Sequence, residues 1–141
     1  MIKYHKITEN NRKKIQSEIS KYLKKEKNIL FVYLHGSFLQ KKFRDIDIGI
    51  YLSKVFTKKQ VLKYELYLET QMSNKFGYEF DVRVLNHAPL SFKFKVIKNS
   101  ILLFSKDEKI RVDFESLSFV KYHDFELYRN MYLREAFGIK V

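Results

Sequence analysis

Three groups of residues in this chain have types and spacing that could do chemistry: His35-Gly36-Ser37, Asp45-Ile46-Asp47, and Asp81 inside a later apolar run. Asp45 and Asp47 stand at i and i+2, so an extended strand sends both carboxylates to one side, their Cβ atoms about 7 Å apart. Such a pair of hard oxygen donors suits one or two Mg²⁺ ions, which complete their shells with substrate phosphate. Without a cation, two aligned carboxylates repel each other. Asp81, on a neighbouring strand, adds a third carboxylate that could hold a second ion and help deprotonate an attacking hydroxyl. Gly36 lets the backbone come close to a phosphate, and Ser37 offers a hydroxyl and an amide. Each feature has a bland reading alone: a solvated strand edge, an ordinary turn, a strand cap. Together they read as a metal–triphosphate site in an enzyme, with Asp45, Asp47 and Asp81 as candidate catalytic and metal-binding residues.

The elements that must position these groups follow from local pattern. Thr8 to Lys25 reads as a helix with Ile15, Ile19, Tyr22 and Leu23 on one stripe. Asn28 to Leu34 is a short apolar and β-branched run, hence a buried strand ending at Gly36-Ser37. Arg44 to Leu52 alternates, with Asp45, Asp47, Gly49 and Tyr51 on one face and Ile46, Ile48, Ile50 and Leu52 on the other. Thr57 to Gln60 has capping-box spacing and opens a helix to about Lys75, with Val61, Leu62, Leu66, Leu68 and Met72 as core candidates and Gly77 as its stop. Tyr78 to Leu85 is a third strand, with Asp81 and Arg83 on one face and Phe80, Val82 and Val84 on the other. Pro89 suits the first turn of a short helix through Ile97, and Ile101 to Phe104 is a brief strand. Ser105-Lys106-Asp107-Glu108 reads as a second capping box, starting a long helix to about Phe137 before Gly138. The order α-β-β-α-β-α-β-α predicts an α/β (α+β) fold, a small mixed β-sheet flanked by helices with a long C-terminal helix.

With 141 residues and no linker or repeat, residues 1–141 read as one domain. Cysteine is absent, which excludes disulfides and thiolate zinc sites and agrees with a cytoplasmic protein. Met1 to Lys14 is polar, so no signal peptide is expected, and the longest apolar stretch, Ile29 to Leu34, is far short of a bilayer span. The net charge of +12 invites a nucleic-acid reading, but 22 of the 28 basic residues are Lys, spread along the whole chain. Base readout and bidentate phosphate clamps use Arg, so direct nucleic-acid binding is not expected. The charge serves solubility or attraction to an acidic partner.

The series Gly36-Ser37, Asp45-Ile46-Asp47 and Asp81 resembles the nucleotidyltransferase superfamily of DNA polymerase β and kanamycin nucleotidyltransferase. Asp81 to Leu90, with its Leu85-Asn86-His87-Ala88-Pro89-Leu90, is similar to the D-x-x-x-L-N-x-A-P-L stretch of the minimal nucleotidyltransferase (MNT) domain of MntA-family antitoxins. Ile97 to Ser105 and Arg111 to Glu115 are similar to that family's tail, so the resemblance covers nearly the whole chain. It implies a polymerase β-like fold and an Mg²⁺- and ATP-dependent adenylyltransferase that moves AMP onto a tyrosine of a cognate HEPN-domain RNase toxin, in a hetero-oligomer. On this sequence it implies Asp45, Asp47 and Asp81 as metal ligands, and Gly36 and Ser37 as holders of the triphosphate. One departure is the seven-residue stretch Phe38 to Arg44, where the family has about ten with an Ala-Arg-Gly element. Lys41, Lys42 or Arg44 could neutralise phosphate charge there.

Other residues carry weaker signals. Arg83 shares a face with Asp81 and could pair with it or reach a phosphate, whereas His35 reads as filler for a strand end. His87 and His123 lack metal-ligand spacing. Phe114, Phe119, Tyr122, Phe125, Tyr128 and Tyr132 exceed what one buried stripe of the last helix needs; most read as core, the rest as partner surface. The competing functions are transfer to a small molecule such as an aminoglycoside, which needs an extra domain, inhibition of a partner by binding alone, and RNA binding.

Overall fold

The computed structural model describes residues 4–40 and 42–138, so Lys41 lies outside the described residues. In chain order the elements are β1 (His5–Lys6), α1 (Glu9–Lys24), β2 (Ile29–His35), a 3₁₀ turn (Gly36–Leu39), β3 (Lys42–Phe43), β4 (Ile46–Leu52), α2 (Lys58–Phe76), β5 (Phe80–Val84), α3 (Leu90–Lys98), β6 (Ser100–Ser105) and α4 (Glu108–Phe137). The main sheet has the order β5-β4-β2-β6, with β4 and β5 parallel and the other pairs antiparallel. β2 is apolar on both faces because it is an inner strand covered on both sides, and Phe31, Val32, Tyr33 and Leu34 are all buried.

Alternation sorts the two layers. Ile46, Ile48, Ile50 and Leu52 of β4 pack with Val82 and Val84 of β5 under Ile19 and Leu23 of α1 and Leu68 and Met72 of α2. On the opposite face Phe31 and Tyr33 pack with Leu85, Val96 of α3 and Phe114 of α4. The Tyr33 hydroxyl donates to Glu115 Oε1 at 2.6 Å, which ties β2 to α4. Helix ends are set by side chains: Thr8 and Thr57 accept from the backbone of Asn11 and Gln60, and Gly77 closes α2 in the left-handed region at φ 78°.

Several expectations are corrected. The ribbon formed by β1 and β3 was not anticipated, since two residues per strand carry no readable period. Leu62 and Leu66 are exposed rather than core, at 56% and 53%. The face of α2 turned to the sheet is Val61, Tyr64, Leu68 and Met72, and Leu62 and Leu66 fall roughly 110–160° round from its centre. Ser105 does not cap α4, because it is still in β6; Asp107 caps it, accepting from the Ile110 amide at 3.1 Å. Of the six aromatics singled out on α4 only Phe114 is buried, while Phe125, Tyr128 and Tyr132 are exposed. The reason is length: a 30-residue helix runs about 45 Å and a seven-residue strand about 23 Å, so α4 outruns the sheet.

Candidate active site

The site lies at one end of the inner strands. β2–β4 pairing sets His35 opposite Asp47, and β4–β5 pairing sets Asp47 opposite Asp81. The three therefore form one row across the sheet, with neighbouring strands about 4.8 Å apart. Asp45 precedes β4 rather than lying in it, because the strand begins at Ile46.

After His35 the chain reverses through Gly36 at φ +79°, a left-handed conformation. A Cβ on Gly36 would lie 2.0 Å from Asp47 Oδ2, so the missing side chain is the space that the carboxylate fills. The next residue, Ser37, accepts from the Arg44 amide through Oγ at 3.3 Å, closing the loop on itself.

A polar cleft of about 630 Å³ brings together His35, Gly36, Ser37, Asp47, Asp81 and Lys95. Asp45 lines the adjoining groove with Glu65, Glu69 and Glu79, and Asp81 stands at the border of both. Arg44 Nε lies 3.5 Å from Asp45 Oδ2, and Arg83 Nε 3.0 Å from Asp81 Oδ1. Lys42 is exposed on β3, its Nζ 5.3 Å from the centre of the Tyr4 ring, and is not among the residues lining the cleft.

Electrostatics single out Asp47. Burial, then the charges of Asp81 and Asp45, push its carboxyl up to about 6. His35 moves the other way: burial lowers it, with Asp81 opposing and Lys95 reinforcing the shift. Its ring stands edge-on to Phe92, with centroids 5.9 Å apart, and its buried Nε2 has no protein partner.

Among the described residues no cluster of three His, Cys, Asp or Glu side chains forms a ready-made metal cage. Mg²⁺ requires less than that, because it takes one or two carboxylates and draws its other oxygens from water and substrate phosphate. Asp47 and Asp81 fit this requirement: hard donors side by side, the first of them raised by burial and then by the charges of Asp81 and Asp45.

Sequence reading missed α3 as a wall of the cleft. Phe92 and Lys95, one turn apart on α3, line it together with Asn99, which caps the end of the helix. That spacing was readable, but nothing in the pattern says which face meets the sheet end.

No curated protein sequence matches the chain. The fold is similar to a chain of the complex of tri-AMPylated Shewanella oneidensis HEPN toxin with MNT antitoxin, with TM-score 0.69, 16% identity and coverage of 89% of this chain and 98% of that one. It is also similar to a chain of the toxin–antitoxin MntA–HepT, with TM-score 0.67, 15% identity and coverage of 87% and 97%. A toxin–antitoxin structure with AMP-PNP gives TM-score 0.69, 17% identity and coverage of 86% and 97%. At these identities the likeness is one of fold. The family model "Polymerase beta, Nucleotidyltransferase" matches residues 17–109, which include Gly36, Ser37, Asp45, Asp47 and Asp81, and with more than half of its length so matched the chain belongs to the polymerase β nucleotidyltransferase family.

Proposed function

We propose that this chain is an antitoxin that transfers AMP from ATP to a tyrosine of a HEPN-domain toxin, with Mg²⁺ as cofactor, Asp45, Asp47 and Asp81 as its acidic residues, and Gly36 and Ser37 at the triphosphate. The observation that carries the reading is the register of Asp47 with Asp81, beside a glycine whose absent side chain admits the Asp47 carboxylate. Family membership supports nucleotidyl transfer, and the fold shared with chains of MNT antitoxin–HEPN toxin complexes supports the partner.

In this reaction the tyrosine oxygen forms a bond to the α-phosphorus, the bond from that phosphorus to the bridging oxygen breaks, and pyrophosphate leaves. Asp81 takes the hydroxyl proton, directly or through one water. Ser37 donates to phosphate oxygens, while Lys95 and Arg83 bring positive charge to the same cleft and stabilise the charge that builds on the phosphoryl group. Mg²⁺ held by the carboxylates would supply Lewis-acid neutralisation of the phosphates. Orientation of the two reactants accounts for much of the rate.

The test is the intact mass of a HEPN-domain protein encoded beside this chain, after incubation with the chain, ATP and Mg²⁺. A gain of one or more AMP units that disappears with Asp45→Ala or Asp47→Ala is the expected result. A partner that stays bound but unmodified assigns the function to occlusion.

A further inference from the structure

Arg12 sits in the first turn of α1 and is only 9% exposed, although it belongs to no part of the cleft. Its Nη1 donates to Glu9 Oε2 at 2.7 Å, and its Nη2 donates to the main-chain carbonyl of Gln40, twenty-eight residues away. The guanidinium lies 5.9 Å from the ring centre of Phe38, which is fully buried beneath the loop. Gln40 returns its own amide to the Ser37 carbonyl at 2.9 Å. Arg12 thus grips the loop of Gly36 to Gln40 from behind at two points, and Leu39 and Gln40 line the cleft on the other side.

A buried guanidinium is costly to desolvate, and a methionine of similar length would fill the same space more cheaply. What the methionine lacks is a donor that fixes the direction of the Gln40 carbonyl. That direction matters because the loop is short and has no glycine between Phe38 and Arg44 to relax its path. We propose that Arg12 is a positioning residue for nucleotide binding: it holds the Gly36–Gln40 loop in the shape that presents Ser37 and Gly36 beside Asp47. The inference rests on the reading of the cleft as a nucleotide site.

The test compares Arg12→Met and Arg12→Lys with the parent chain by hydrogen exchange of the loop amides without nucleotide, by AMP-PNP affinity, and by KM for ATP against kcat. Arg12→Met should speed exchange of the Gln40 amide at least about tenfold while amides of the sheet strands stay protected, weaken AMP-PNP binding about tenfold or more, and raise KM more than it lowers kcat. Arg12→Lys should recover part of each effect, because an ammonium also donates to the Gln40 carbonyl, and it carries the comparison should Arg12→Met fail to fold. Exchange that rises equally everywhere marks a purely structural residue and overturns the proposal, as does parental AMP-PNP affinity in a folded Arg12→Met chain. A parent chain that binds no AMP-PNP refutes the site reading itself, and with it the nucleotide role of Arg12, whatever the loop exchange shows.

Discussion

The side-chain amide of Asn86 completes the backbone ladder of Leu52: Oδ1 accepts from the Leu52 amide and Nδ2 donates to the Leu52 carbonyl, both at 2.8 Å. β5 ends at Val84, and the Leu85 amide still bonds to the Ile50 carbonyl, so Asn86 continues parallel pairing with a side chain where the backbone has already turned away. Asn86→Ala leaves a partly buried donor and acceptor unpaired, which costs about 2–3 kcal/mol. In a chain of this size that lowers Tm by roughly 8 °C, measurable by thermal denaturation. A Tm within a degree of the parent chain would contradict the pairing.

Asp47 carries a pH signature. Its folded-state pKa of about 6 stands above the ordinary 3.8, so the folded chain holds this proton more tightly than the unfolded chain does. The group's contribution to stability is fully present below the unfolded value and is lost as pH rises through about 6. Asp47→Asn should therefore be more stable than the parent chain at pH 7, by roughly 1 kcal/mol after allowance for solvent screening of a half-exposed group. The difference should shrink toward pH 4. Adding Mg²⁺ at pH 7 should raise the Tm of the parent chain and leave that of Asp47→Asn nearly unmoved. Equal Mg²⁺ responses would remove Asp47 from the proposed metal ligands.

At Gly36 two penalties coincide. Alanine at φ +79° costs about 1–2 kcal/mol in the left-handed region. Its Cβ would also occupy the place of Asp47 Oδ2, so the carboxylate must swing away from its position opposite Asp81. On the proposed function, Gly36→Ala should keep the fold and lose AMP transfer by at least about a hundredfold, the loss expected when a reacting group is displaced by about 1 Å. Transfer at a tenth of the parental rate or better would mean that the loop relaxes and that this contact is dispensable.

The layers of the fold were legible because Ile46 to Leu52 alternates and Ile29 to Leu34 does not, and these patterns alone separate a strand above a polar cleft from one buried on both sides. The shared face was legible for the same reason at Asp47 and Asp81, but Asp45, read as lying on that strand with Asp47, precedes it and lines the adjoining groove. Which residues lie opposite one another was not legible, since register depends on the path of the loops. Lys95 and Arg12 were invisible because their roles depend on how α3 and α1 dock: one lysine among 22 and one arginine in a polar turn carry no local signal. Leu62 and Leu66 read as core because an apolar i, i+4 pair can be drawn on more than one face of α2, and Glu69, at i+7 from Leu62, breaks that stripe.

The same helix protects the sheet's open side. β5 is an edge strand, and its outward amides at Val82 and Val84 are taken by Glu69 Oε1 at 2.9 Å and Glu65 Oε2 at 2.8 Å, both from α2. Unpaired amides on an edge strand are a template for pairing with another chain, so these two glutamates seal the edge with acceptors that no backbone supplies. Burial raises the Glu65 carboxyl, opposed by its bond to the Val84 amide and by Arg83. Removing both side chains in Glu65→Ala/Glu69→Ala should cost about 2 kcal/mol and shift the chain toward larger species as concentration rises, read by light scattering. Glu65→Gln/Glu69→Gln keeps an acceptor at each position and should show no such shift. Identical scattering from the alanine pair and the glutamine pair would mean that α2 shields the edge by bulk, not by these two bonds.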